Sequence, residues 1–192
     1  MKTGLAVLLL SVATACCQPA QIILLRHGEK PSDDGLLHLS PRGEERAQAL
    51  AKFLSEPNHL MSNAPIAALY ATRVSRNSHS QRTGETLAPL GRQIGLPVNT
   101  AYASDWYALL AQSVLGNSAY RGKTVIICWT HHELADLAAA LGVDPKPAPW
   151  KDKAFDRLWL IKPGASPVVF RELSPHLLKG DSKDAAGVKA EH

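Results

Sequence analysis

The stretch Ile22-Ile23-Leu24-Leu25-Arg26-His27-Gly28-Glu29-Lys30-Pro31 decides how the rest of the chain is read. Its four consecutive bulky apolar residues, two of them β-branched, predict a strand buried on both faces of an α/β sheet. Arg26 and His27 follow where such a strand emerges at its carboxyl end, and ligands of open α/β sheets sit just outside those ends. Gly28 lets the backbone turn sharply and a ligand come close. Arg26 is a permanently charged fork suited to phosphate or carboxylate, while His27 can be neutral and nucleophilic near neutral pH. On this stretch alone, a strand ending in ordinary polar rim residues is the plainer alternative.

The 192 residues suffice for one domain with a sizeable core and are few for two. Hydrophobic residues make up 45% and charged ones 20%, the balance of an ordinary globular protein. The formal net charge of +4 is modest and its basic residues are scattered, so nucleic acid is not an expected partner. Arginines gathered around an anion site would account for part of the excess.

Residues 1–20 read as a targeting segment. Lys2 is the short positive start, Leu5 to Val12 form an apolar core, and small residues follow. That core is too short for a membrane span. Ala13-Thr14-Ala15 fits a small-x-small cleavage site before Cys16. The same residues resemble a lipobox, in which Cys16 would carry a lipid anchor, although Ala13 stands where leucine is usual. Export is therefore expected, to a periplasmic, secreted or lipid-anchored state. Besides Cys16 and Cys17 there is only Cys128, so a disulfide framework is not expected. Cys128 lies inside an apolar run and reads as a small buried hydrophobe.

Further along, Ser40-Pro41-Arg42-Gly43-Glu44 opens a helix, with Ser40 as cap, Pro41 in the first position and Glu44 in the first turn. Ala47, Leu50, Ala51 and Leu54 recur at helical spacing and would cover the sheet. Ile66 to Ala71 reads as a second strand, and Arg82 begins a helix containing Leu87 and Leu90. Ser104 or Asp105 is expected to cap another helix, with Trp106, Leu109, Leu110 and Val114 on its apolar face. Thr124 to Trp129 is the second strongly apolar strand; a helix from Leu134 to Leu141 follows, closed by Gly142. Pro145 to Pro149 reads as an extended connector. Arg157 to Ile161 and Val168 to Phe170 flank Pro163-Gly164, which predicts a hairpin at the sheet edge. The domain is expected over 21–175, and the charged, small-residue stretch 176–192 as a disordered tail.

Separate pieces of the chain share one design. A strand ends in Arg26-His27, another ends in Thr130-His131, and a helix begins at Arg82. If the strands are parallel neighbours, both histidines and Arg26 leave one rim of the sheet, with a helix start directed at the same point. Such a gathering of cations and imidazoles suits a phosphoryl group.

Arg26-His27-Gly28-Glu29 resembles the R-H-G-E signature of the histidine phosphatase superfamily, which includes phosphoglycerate mutases and acid phosphatases. Leu39-Ser40-Pro41-Arg42-Gly43 resembles that family's helix start. Arg82-Thr83-Gly84-Glu85-Thr86-Leu87-Ala88-Pro89-Leu90 resembles its R-A-x-Q-T-A-E-P-L block, and Trp129-Thr130-His131 stands where the second family histidine falls. The resemblance implies a single three-layer α/β/α domain with a mostly parallel central sheet. It departs from the family in two places. The segment before Arg82 is long, so Arg76 competes for the second arginine role, and His132-Glu133 replaces the usual Gly-Gly, leaving His131 and His132 both open. No insertion is long enough for a large covering domain.

The resemblance further implies a phosphate monoester hydrolase in which His27 attacks phosphorus and becomes a phosphohistidine. Arg26, Arg82 and His131, with Gly28 and in one alignment Arg76, would bind the phosphoryl group and stabilise its transition-state charge. Asp105 is one candidate for the general acid and Glu133 the alternative. No cofactor is implied, and the adjacent His131-His132 are not at metal-ligand spacing. The expected partner is a small phosphorylated substrate or a phosphopeptide. A phospho-ligand-binding protein without turnover and a phosphoglycerate mutase are the other readings.

Overall fold

The computed structural model describes residues 18–32, 37–56, 60, 62–75 and 79–181. The targeting segment through Cys17, Arg76 and the tail beyond Asp181 lie outside these residues.

Along the chain come β1 (Gln21–Arg26), α1 (Pro41–Ser55), β2 (Ile66–Ala71), α2 (Arg82–Ile94), β3 (Val98–Asn99), α3 (Tyr107–Gly116), β4 (Thr124–Trp129), α4 (Leu134–Ala140), β5 (Leu158–Lys162) and β6 (Val169–Leu173). Short 3-10 turns at Ser104–Trp106 and Ser118–Tyr120 flank α3. The six strands form one sheet in the order β3-β2-β4-β1-β5-β6. β1, β2, β3 and β4 pair in parallel, and β5 and β6 add an antiparallel hairpin at the edge.

Every residue of β1 and β4 is buried, because successive side chains feed opposite faces and both faces are covered. Ile22, Leu24, Val125, Ile127 and Trp129 pack with Leu110 and Val114 of α3 and Leu134 and Leu137 of α4. Ile23, Leu25, Ile126 and Cys128 pack on the other face with Leu50 and Leu54 of α1 and Leu87 and Leu90 of α2. The result is a three-layer α/β/α domain. Each such fully buried aliphatic side chain contributes about 1.5–3 kcal/mol by leaving water.

Local signals set the helix ends. The Ser40 hydroxyl accepts from Gly43 N–H at 3.1 Å, Pro41 occupies the first turn, and Gly142 closes the turn after α4 at φ 95°. The start of α3 differs from expectation. Ser104 and Asp105 lie in a 3-10 turn and α3 begins only at Tyr107, without a side-chain cap. The tighter turn puts Trp106, 41% exposed, out of phase with the buried stripe Leu110, Ala111 and Val114, and Leu109, 54% exposed, lies beside that stripe within α3. Trp106 instead stacks under the Arg73 guanidinium, 4.6 Å from the ring centre.

Hydrogen bonds reach past both ends of the span 21–175. Ala20 N–H donates to Lys123 O at 2.9 Å and Gly122 N–H to Gln18 O at 3.2 Å, so residues 18–20 belong to the fold. At the other end Asp181 is bound by Arg46, which seats residues 177–181 against α1. Among the described residues, no helix is long and apolar enough to cross a membrane.

Candidate active site

The parallel register pairs Arg26 of β1 with Trp129 of β4, so His27 and Thr130-His131 leave the sheet side by side at its carboxyl rim. The first turn of α2 is fastened to the same rim. Thr86 Oγ1 accepts from Gly28 N–H at 2.9 Å and donates to Arg82 O at 2.7 Å, and Thr83 and Thr72 share a hydroxyl hydrogen bond of 2.6 Å. Arg82 is thereby held beside His27. Gly28 is required by a close approach: a Cβ there would lie 2.8 Å from Gly43 O, and one on Gly43 would overlap Glu29 O. The loop after β1 and the start of α1 therefore run backbone against backbone.

His27 is buried, and its Nδ1 lies 2.7 Å from Gly28 O. A carbonyl only accepts, so Nδ1 carries the proton and the Nε2 lone pair is left for an electrophile. Burial lowers the His27 pKa to about 3, helped by Arg26, Arg82 and His131, with the Gly28 hydrogen bond opposing. His131 is lowered to about 4 by burial, Arg26 and His132, with Asp152 opposing. Both rings are therefore neutral at neutral pH. His131 Nε2 donates to Asp152 Oδ1 at 3.0 Å, whereas His132 is exposed and stacks on His131 at 3.9 Å.

Arg26 is only 3% exposed, and burial pulls its pKa down to about 10, where it is still charged near neutrality. Its Nη1 donates to the Lys151 and Asp152 carbonyls, and its guanidinium lies 4.3 Å from the Phe155 ring centre. Its Nε is buried with no hydrogen-bond partner among the described residues. An unsatisfied buried donor on a permanent cation is suited to an anionic oxygen.

The remaining candidates are dispersed. Glu133 is half-buried and its carboxylate accepts from Thr130 Oγ1, closing the turn before α4. Asp105 is exposed, on the 3-10 turn whose Ser104 O accepts from Trp129 Nε1 at 3.0 Å. Arg76 lies outside the described residues. The loop 151–155 was not expected at the site at all; it brings Asp152 and Phe155 there from the connector after α4. Its tandem of charges, Lys151-Asp152-Lys153, between the aromatic residues Trp150 and Phe155, was the only available signal.

The two depressed histidines make stability depend on pH in a definite direction. Between the ordinary value of 6.5 and the folded values of about 3 and about 4, the unfolded chain binds more protons, so stability rises with pH. Acidification from 6.5 toward 4 is expected to destabilise the fold by up to ~1.4 kcal/mol per pH unit for each histidine. Urea unfolding across that range checks this, and His27→Gln is expected to flatten the slope.

The fold defined by these elements is shared with solved structures of phosphatases and of a phosphoglycerate mutase. No family model matches the chain, and no curated protein matches it. Among solved structures, it is similar to a mycobacterial glucosyl-3-phosphoglycerate phosphatase in complex with inorganic phosphate, at a TM-score of 0.53 and 16% identity over 80% of this chain and 95% of that one. It is similar to the protein histidine phosphatase SixA complexed with tungstate, at 0.52 and 16% over 81% and 97% of the two chains. A phosphoglycerate mutase from Plasmodium falciparum is similar at 0.52 and 14% over 84% and 95%.

Proposed function

We propose that the protein is an exported histidine-type phosphatase that hydrolyses phosphate monoesters through a phosphohistidine on His27. The observation that carries this reading is the neutral His27 ring, whose Nδ1 proton is committed to Gly28 O, set among Arg26, Arg82 and His131. Nε2 attacks phosphorus, the ester P–O bond breaks, and the leaving oxygen takes a proton. Water then attacks the phosphohistidine, the N–P bond breaks, and inorganic phosphate departs. Arg26 and Arg82 bear the charge on the equatorial oxygens, and His131 donates to one of them. Small phosphorylated molecules or a phosphorylated peptide fit a site without a large covering domain.

p-Nitrophenyl phosphate tests this directly, because its leaving group needs little proton assistance. Steady release of nitrophenolate is expected, with a phosphoprotein that is stable to base and labile to acid trapped during turnover. Arg82→Ala is expected to lower kcat/KM by about 10²–10³-fold, the scale of one lost transition-state donor, and by a similar factor for every ester. Binding of phosphate with no turnover would instead leave a phospho-ligand-binding protein.

A further inference from the structure

We infer that Asp152 is the general acid of this site, which deepens the phosphatase reading and rests on it. The covalent step needs a proton on the departing oxygen, and an alkoxide leaves very poorly without one. Of the acids noted above, Glu133 is held by Thr130, and Asp105 sits on the separate turn tied to Trp129. Asp152 is the carboxylate that reaches a histidine of the site, with Oδ1 3.0 Å from His131 Nε2. Its side chain is 82% exposed while His131 is 15% exposed, so the carboxyl stands on the solvent side of the ring, where a leaving group must depart.

The loop that carries Asp152 is built to hold it there. Trp150 is buried against Trp159, with ring centres 4.7 Å apart, and its Nε1 donates to Ala154 O at 2.7 Å. Ala154 N–H donates to Lys151 O at 3.0 Å, which closes the turn around Asp152. Phe155 then anchors the far side over Arg26 and lies 6.3 Å from the His27 ring. The Lys151 and Asp152 carbonyls accept from Arg26 Nη1, which ties the loop to the arginine of the site. Those bonds leave the Arg26 Nε as the donor for a phosphoryl oxygen while the loop keeps the Asp152 carboxyl beside His131. In the first step the Asp152 proton passes to the ester oxygen as the P–O bond breaks and the N–P bond forms. In the second the Asp152 carboxylate takes a proton from the attacking water, which restores it.

The test compares Asp152→Asn with the wild type on p-nitrophenyl phosphate and on glycerol phosphate, reading kcat/KM because it reports the first covalent step. Loss with glycerol phosphate is expected to be about 10²–10⁴-fold, the usual span for a general acid, against less than about tenfold with p-nitrophenyl phosphate. Equal losses on both esters would overturn the acid role and leave Asp152 as a residue that positions His131. No loss on either would overturn it as well. A wild type that turns over neither ester would remove the phosphatase reading itself, and the acid role with it. Because the Asp152 side chain is exposed, the fold tolerates its replacement by the amide, and an unchanged melting temperature checks that.

Discussion

His27→Gln is expected to abolish phosphatase turnover, by at least ~10⁴-fold in kcat, while the protein stays folded. Losses on that scale follow removal of a covalent nucleophile whose partners cannot act alone. Glutamine keeps a neutral polar group of similar reach, so the rim of β1 loses neither charge balance nor much volume. The nucleophilic nitrogen is what disappears. No acid-labile phosphoprotein should be trapped on the variant, even with p-nitrophenyl phosphate. Phosphate binding should persist, because Arg26, Arg82 and His131 remain; vanadate or phosphate titration of the variant measures it. Near-normal turnover by the variant would falsify the covalent mechanism.

Arg46→Met is expected to cost the fold about 3–5 kcal/mol at neutral pH, the scale of an ion network broken by removing one buried partner. Arg46 is 2% exposed and bonds Glu29 at 2.7 and 2.9 Å, Asp181 at 2.7 and 3.0 Å, and Asp156 at 3.4 Å. Arg42 adds weaker contacts at 3.2 Å to Glu29 and Asp181, and it is far more exposed. Without Arg46 three carboxylates with little access to water lose their main counter-charge. Methionine fills similar volume, so the measured loss is mainly electrostatic. Urea unfolding at neutral pH reads the full effect. The gap between variant and wild type is expected to narrow below about pH 4, because Asp181, held under its ordinary range by Arg46 against the opposing effect of burial, loses that contribution as it is protonated. A gap independent of pH would mean that packing, not charge, sets the role of Arg46. Activity should fall too, because Glu29 directly follows the His27-Gly28 turn.

What was legible in the sequence were features whose cause is local. The runs Ile22 to Leu25 and Thr124 to Trp129 are apolar at nearly every position, and only strands covered on both faces need that. The stripe Ala47, Leu50, Ala51 and Leu54, the cap at Ser40 and the stop at Gly142 each act within a turn or two of their own residue. Arg26, His27 and His131 could be placed because a residue directly after a buried strand must emerge at its carboxyl end. Once β1 and β4 pair in parallel, those residues meet. Trp106 and Leu109 differ from expectation because apolar character alone does not fix phase: a 3-10 turn shifts Trp106, and Leu109 falls off the Leu110–Val114 stripe within α3.

The tertiary structure alone decided which charges meet. Asp152 reaches Arg26 across 126 residues through its backbone carbonyl and turns its carboxylate to His131, and the Asp181 carboxylate reaches Arg46 across 135. Apolar periodicity says which face of an element is buried, but it carries nothing about which loop lies over a rim. The entropic cost of closing a loop grows only slowly with its length, so distance along the chain neither favours nor forbids such a partner. The histidines and arginines at this rim were therefore readable from the chain, whereas their acidic neighbour and the ionic clamp behind them came from packing.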